Sequence, residues 1–183
     1  MNKLSESTLL RWWESMFLSP SELKAKGRYP APTVYKAQLK RCQNIDAAML
    51  TGGFRTLWLS LQERNAETVD EKTIIKWAMI AMTVVHVKHN VTTTLATAAG
   101  TKTENDKPVV SALRFAQLQG AKTPDEFVTR LRRTLQLIDG KVSMLDLAKD
   151  IEQWAHECHQ QRPRRANQRL SVQWALEYYK AAK

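Results

Sequence analysis

Cysteine is scarce: the 183-residue chain holds two, Cys42 and Cys158, far apart and in no CxxC pattern. That spacing excludes a disulfide framework and a zinc ribbon, and it points to a reducing, cytoplasmic setting. Glycine and proline are few, six of each, which disfavours a fold of short strands and tight turns. The longest apolar run, Trp77 to Val87, contains His86 and is too short to span a bilayer, so it is expected to be a buried helix. Near the start, Arg11 and Glu14 flank Trp12 and Trp13, so no uninterrupted apolar signal core is present there. Acidic residues are also outnumbered. Eighteen Asp and Glu face 28 Lys and Arg, and the net charge of +10 supports a polyanion partner, either nucleic acid or an anionic membrane face, between which charge alone does not choose. There is no phosphate-cradling glycine loop, no GxSxG elbow and no HExxH, and the reading is of a protein that is not an enzyme, with no cofactor and no metal.

Hydrophobic residues make up 43% of the chain, enough for a core. Their spacing is helical. Leu4 to Phe17 reads as a helix capped by Ser5 or Ser7, with Leu9, Trp12, Trp13 and Met16 inward. Residues 19–32, with three prolines and Gly27, are expected to be a basic loop carrying Lys24, Lys26 and Arg28. Thr33 to Cys42 follows as a helix. Gly52 and Gly53 interrupt the chain before a helix from Phe54 to Leu61. Asp70 caps a strongly apolar helix from Glu71 to Val87. The polar stretch Thr101 to Lys107, ending at Pro108, is expected to be a mobile connection.

Farther on, Thr123-Pro124-Asp125-Glu126 is a capping box with proline at the first helical position. It opens a helix whose inner face is Phe127, Leu131, Leu135 and Ile138. Ser143 caps a helix with the stripe Leu147, Ile151, Trp154 and Cys158. A basic loop, 160–168, leads to a last helix expected to pack Val172, Ala175, Leu176 and Tyr179. Nothing alternates with a period of two. The expected architecture is all-α, a compact helical bundle of about seven to nine helices. It spans 1–183 as a single domain, with possible halves at 1–100 and 108–183.

Two HxxH pairs, His86 with His89 and His156 with His159, could bind a metal on a helix face. Their bland reading is surface or capping histidines at helix ends, which the helix dipole favours, and that reading is preferred. Basic doublets are the better lead: Lys40-Arg41, Arg132-Arg133 and Arg164-Arg165 lie on different elements, and no Asp or Glu occurs from Lys24 to Arg41. One doublet alone is as well explained by a solvated face. Together they suggest a shared track for phosphates. Most aromatics sit within the apolar periodicity and belong to the core; Tyr29 and Tyr35, beside bases, are the candidates for stacking on nucleobases.

Four ordered stretches resemble the CasB family, the small subunit of the type I-E CRISPR surveillance complex Cascade. They are Ala37 to Cys42 followed by Ala48 to Leu57; Leu113-Arg114-Phe115 to Leu118 followed by Leu131-Arg132-Arg133-Thr134-Leu135; Ser143 to Trp154; and Val172 to Tyr179. The chain departs from the family at Leu95 to Ala99, which lacks an arginine, and in a longer, more basic 160–168 loop. The resemblance implies a non-catalytic helical subunit, usually in two copies, that contacts other Cascade subunits and the guide RNA complex. It also implies that the subunit holds the single-stranded non-target DNA displaced when the guide pairs with its target. On that basis Arg41, Arg114 and Arg133 are expected to contact nucleic-acid backbone, with Lys40, Arg132 and the Arg162, Arg164 and Arg165 loop in support, the loop residues on charge alone. The alternatives are a helical scaffold whose basic surface docks on acidic protein partners without touching DNA, and a hydrolase built on the HxxH pairs.

Overall fold

The computed structural model describes residues 1–65, 69–159 and 163–183. They fall into two compact units, Met1–Val85 and His86–Lys183. Apart from two two-residue strands, one isolated bridge and a 3-10 turn, the regular elements among the described residues are α-helices, eleven in number. No described helix is long and apolar enough to cross a membrane.

The first unit holds α1 (Lys3–Phe17), α2 (Pro20–Ala25), α3 (Thr33–Arg41), α4 (Ile45–Met49), α5 (Gly52–Asn65) and α6 (Glu71–Val84). The N-cap of α1 is Asn2, whose Oδ1 accepts from the Ser5 amide at 2.8 Å; Ser5, an expected cap, is buried inside the helix instead. The inward positions Leu9, Trp12 and Trp13 are buried as their spacing requires. The stretch expected to be loop, 19–32, contains α2. Ser19 and Glu22 exchange bonds across its first turn, and Pro20 sits at the first helical position, where a missing N–H costs nothing.

Gly52 and Gly53 do not interrupt α5; they begin it. A Cβ on Gly52 would lie 2.6 Å from the Tyr35 ring, and one on Gly53 would lie 2.8 Å from Leu39 Cδ1. These glycines let α3 approach α5. The Trp12 indole donates to the Gly53 carbonyl at 2.9 Å, fastening α1 to the same place. Asp70 caps α6 as expected, accepting from Thr73 N at 2.8 Å, and the helix is buried from Trp77 to Val84. It ends at Val84, three residues short of the sequence expectation.

The second unit holds α7 (Leu95–Gly100), α8 (Ala112–Gln119), α9 (Pro124–Leu137), α10 (Met144–Cys158) and α11 (Leu170–Ala181). Strands His89–Asn90 and Lys141–Val142 pair in parallel. Residues 101–107, expected to be a connection, form a hydrogen-bonded turn. Thr103 N bonds Lys107 O at 2.8 Å, Lys102 bridges to Pro108, and Lys102 pairs with Asp106 at 2.8 Å. Two expected faces are also corrected. Cys158 is exposed, so the α10 stripe stops at Trp154. On α11 the buried residues are Leu170, Trp174 and Tyr178, whereas Leu176 and Tyr179 are 64% and 59% exposed. The large aromatics at four-residue spacing win the interior because they bury the most surface.

Helix α7 meets α11 at Gly100, where a Cβ would come within 2.3 Å of the Tyr178 carbonyl oxygen. Backbone cannot swing aside as a side chain can. Gly100→Ala is therefore expected to cost about 1–3 kcal/mol by overpacking. Urea unfolding checks this: the midpoint falls and the slope stays constant.

Candidate nucleic-acid interface

Helices α8 and α9 lie together in the second unit because each has one apolar face. Phe115 and Leu118 of α8 and Phe127, Val128, Leu131 and Leu135 of α9 are all buried. Their stacking extends to α10 and α11: Phe127 lies 4.2 Å from Trp154 and 6.2 Å from Trp174, and Phe115 lies 4.6 Å from Tyr178, centroid to centroid. With the inner faces fixed, the outer faces of α8 and α9 form a groove of about 610 Å³. It is lined by Arg114 and Gln117 from α8 and by Arg130, Arg133, Thr134, Gln136 and Leu137 from α9.

The three arginines of this groove are not equivalent. Arg130 is committed: it pairs with Glu126 one turn earlier and donates to the Gln117 carbonyl. Glu126 is itself held by the Lys122 amide, whose hydrogen bond pulls its carboxyl below the usual glutamate range. Arg114 and Arg133 are exposed and make no ion pair among the described residues. Two guanidinium groups with uncompensated charge, beside the Gln117 and Gln136 side chains, form a surface for an anionic chain.

The other expected contacts are placed elsewhere. Arg132 does not line the groove, and its Nε donates to His86 Nε2 at 3.0 Å. Lys40 and Arg41 close α3 in the first unit, Lys40 half-buried and Arg41 exposed. Arg164 and Arg165 are exposed before the 3-10 turn Ala166–Gln168; Arg169 steadies that loop by donating to the Pro163 and Arg164 carbonyls at 3.1 and 3.4 Å. Arg162 lies outside the described residues. Of the aromatic candidates, Tyr35 is half-buried against the α5 glycines, whereas Tyr29 is 88% exposed.

The HxxH pairs gain no third ligand: among the described residues there is no group of three or more His, Cys, Asp or Glu able to hold a metal. His86 instead accepts from Arg132, and His156 sits in the last turn of α10.

A second basic groove, in the first unit, was not assembled by sequence reasoning. It has a volume of about 490 Å³ and is lined by Thr8, Arg11 and Ser15 of α1, Lys26 to Tyr29, and Thr56, Ser60 and Arg64 of α5. The signal lay in the spacing: Thr8, Arg11 and Ser15, and likewise Thr56, Ser60 and Arg64, recur every three to four residues and so share one face of each helix.

Compared with known proteins, the sequence matches the profile of one family, described as CRISPR-associated protein Cse2, over residues 35–179. No curated protein matches, and no solved structure matches.

Proposed function

Because the chain belongs to the Cse2 family, the CasB small subunits of type I-E Cascade, we propose that it grips nucleic-acid backbone without reading sequence and stabilises the displaced non-target strand of the R-loop. It performs no catalysis in this role. Its neighbours are other Cascade subunits, the guide RNA complex and a second copy of itself. The observation that supports the reading most directly is the α8–α9 groove, where Arg114 and Arg133 share one concave surface without a carboxylate partner among the described residues.

The physics suits the role. Exchanging DNA pairing for RNA–DNA pairing is close to balanced, so a few phosphate contacts on the displaced strand are enough to favour the open loop. Phosphate contacts carry no sequence information, which a complex addressing any target requires. They need rigidly held cations and no reactive group. Arg133 rides on a helix pinned from behind by Phe127, Leu131 and Leu135, so its guanidinium is presented from a fixed base.

The test uses the assembled complex with Arg114→Ala/Arg133→Ala. Target-DNA affinity is expected to fall about tenfold or more for each arginine removed, since each charge-assisted bond contributes about 1.5–3 kcal/mol. The salt slope for a single strand should flatten by about 1.4, near 0.7 for each lost phosphate contact. Footprinting should show the displaced strand losing protection. Unchanged affinity, slope and footprint would overturn the assignment and favour the scaffold reading.

A further inference from the structure

We infer that the groove of the first unit, between α1, α5 and the turn after α2, is a second binding site for single-stranded DNA. In this site phosphates rest on Arg11 and Arg64, and one base stacks on Tyr29. The inference rests on the nucleic-acid role proposed above but on a different surface. Much of the groove, Thr8 to Tyr29, precedes the residues that match the family.

Charge is the first argument. Four cations, Arg11, Lys26, Arg28 and Arg64, line the groove. Glu14, buried beneath, pairs with Lys26 and Arg28. That carboxylate holds the two side chains in place and offsets part of their charge, as a structural acid does under a cationic surface. Arg11 and Arg64 are exposed and make no ion pair among the described residues, so their charge is left for a ligand. Mutual repulsion would favour scattering such groups over a surface; here they converge from two helices and a turn.

The hydroxyls add little to this. Thr8 Oγ1, though unpartnered, is sealed from solvent, and Ser15 donates its proton to the Trp12 carbonyl at 2.6 Å. The polar groups open to a ligand are the guanidinium groups, with Ser60 on the wall beside them.

Tyr29 decides between a nucleic acid and an acidic peptide. Its ring is 88% exposed at the groove edge, next to Arg28. Such a ring has no packing role, whereas a base has a π-face to lay on it. Gly27, with a φ of +64° and open space around its Cα, turns the chain so that Arg28 and Tyr29 follow directly at the edge. An acidic peptide would use the cations and leave the ring idle.

The experiment uses the full chain and a fluorescently labelled oligothymidylate, read by anisotropy across a salt series. Arg11→Ala/Arg64→Ala should weaken binding about tenfold and flatten the salt slope by about 1.4. Tyr29→Ala should weaken it about five- to tenfold with the slope unchanged, and Tyr29→Phe should bind as the parent does. Circular dichroism confirms that these surface variants fold. If Arg11→Ala/Arg64→Ala binds normally while Arg114→Ala/Arg133→Ala does not, this second site is refuted and the α8–α9 reading stands. The reverse pattern supports the second site and refutes the first. No binding by the parent chain at low salt refutes the second site, while the α8–α9 reading stands or falls on the assembled complex. Tighter binding of oligouridylate, or of polyglutamate, through the same residues overturns the assignment to DNA.

Discussion

Replacing Phe127 with alanine is expected to remove about 3–5 kcal/mol from the unfolding free energy, the range for deleting a fully buried phenyl ring. Phe127 has no exposed surface, and it stacks on Trp154 of α10 while lying parallel to Trp174 of α11. Its loss empties the point where three helices meet, and a helix held along the same face by Leu131 and Leu135 cannot collapse into the space. Native proteins hold a margin of only about 5–15 kcal/mol, so the variant loses a large share of it. Phe127→Leu, which keeps more of the volume, should cost clearly less. Urea unfolding measures both. The variant also separates folding from function at the α8–α9 groove. Arg133→Ala should weaken DNA binding with almost no shift in the urea midpoint, because exposed substitutions stay within about 0.5 kcal/mol. Phe127→Ala should do the opposite: binding recovers under conditions that restore folding. A cost below about 1 kcal/mol would mean that the aromatic stack does not hold α9 in place.

How far this could be foreseen depends on which force sets each feature. Helix α9 was legible in its Thr123 cap, its proline and its apolar stripe, which all act within one helix. The other half of the expected capping box is not made, because Glu126 accepts from the Lys122 amide, one residue before the cap. The other corrected features depend on partners distant in sequence. The choice between the Trp174–Tyr178 face of α11 and the Leu176–Tyr179 face is made with Phe115 and Phe127, which supply stacking partners far earlier in the chain. The glycines at 52 and 53 likewise resemble a break until Tyr35 and Leu39 are seen pressing on them.

The site shows the same division. That Arg114 and Arg133 were candidates followed from family motifs, but that they share a groove follows from the packing of α8 on α9. The doublet pattern treated Arg132 and Arg133 alike. Helical geometry parts neighbouring residues by about 100°, so one faces the groove and the other reaches His86. Arg11 and Arg64 were passed over because each stands alone in sequence; charge density along a chain does not reveal charge gathered from two helices.

The stability contributed by Asp150 should fall as pH rises from about 4 to about 7. This side chain on α10 accepts from the Trp174 indole at 2.9 Å, joining α10 to α11. Burial pushes its carboxyl up from the ordinary 3.8 to about 7; the indole hydrogen bond opposes this, and the nearby Glu177 and Asp146 add to it. The unfolded chain releases this proton near pH 4, while the native state keeps it until near pH 7. Across that interval the native state binds more protons than the unfolded one, so each rise in pH favours unfolding. Above about 7 both states are ionised and the contribution is flat. The full shift of about three units corresponds to an upper bound of about 4 kcal/mol. Asn at this position keeps an oxygen for the indole and removes the charge. Asp150→Asn should therefore raise stability at pH 8 by a few kcal/mol while leaving it nearly unchanged at pH 4. The readout is the difference between parent and variant unfolding free energies at each pH, which cancels the histidines and surface carboxylates common to both. Two parallel curves would show that Asp150 binds its proton equally in the native and unfolded states, and that the α10–α11 contact carries no proton linkage.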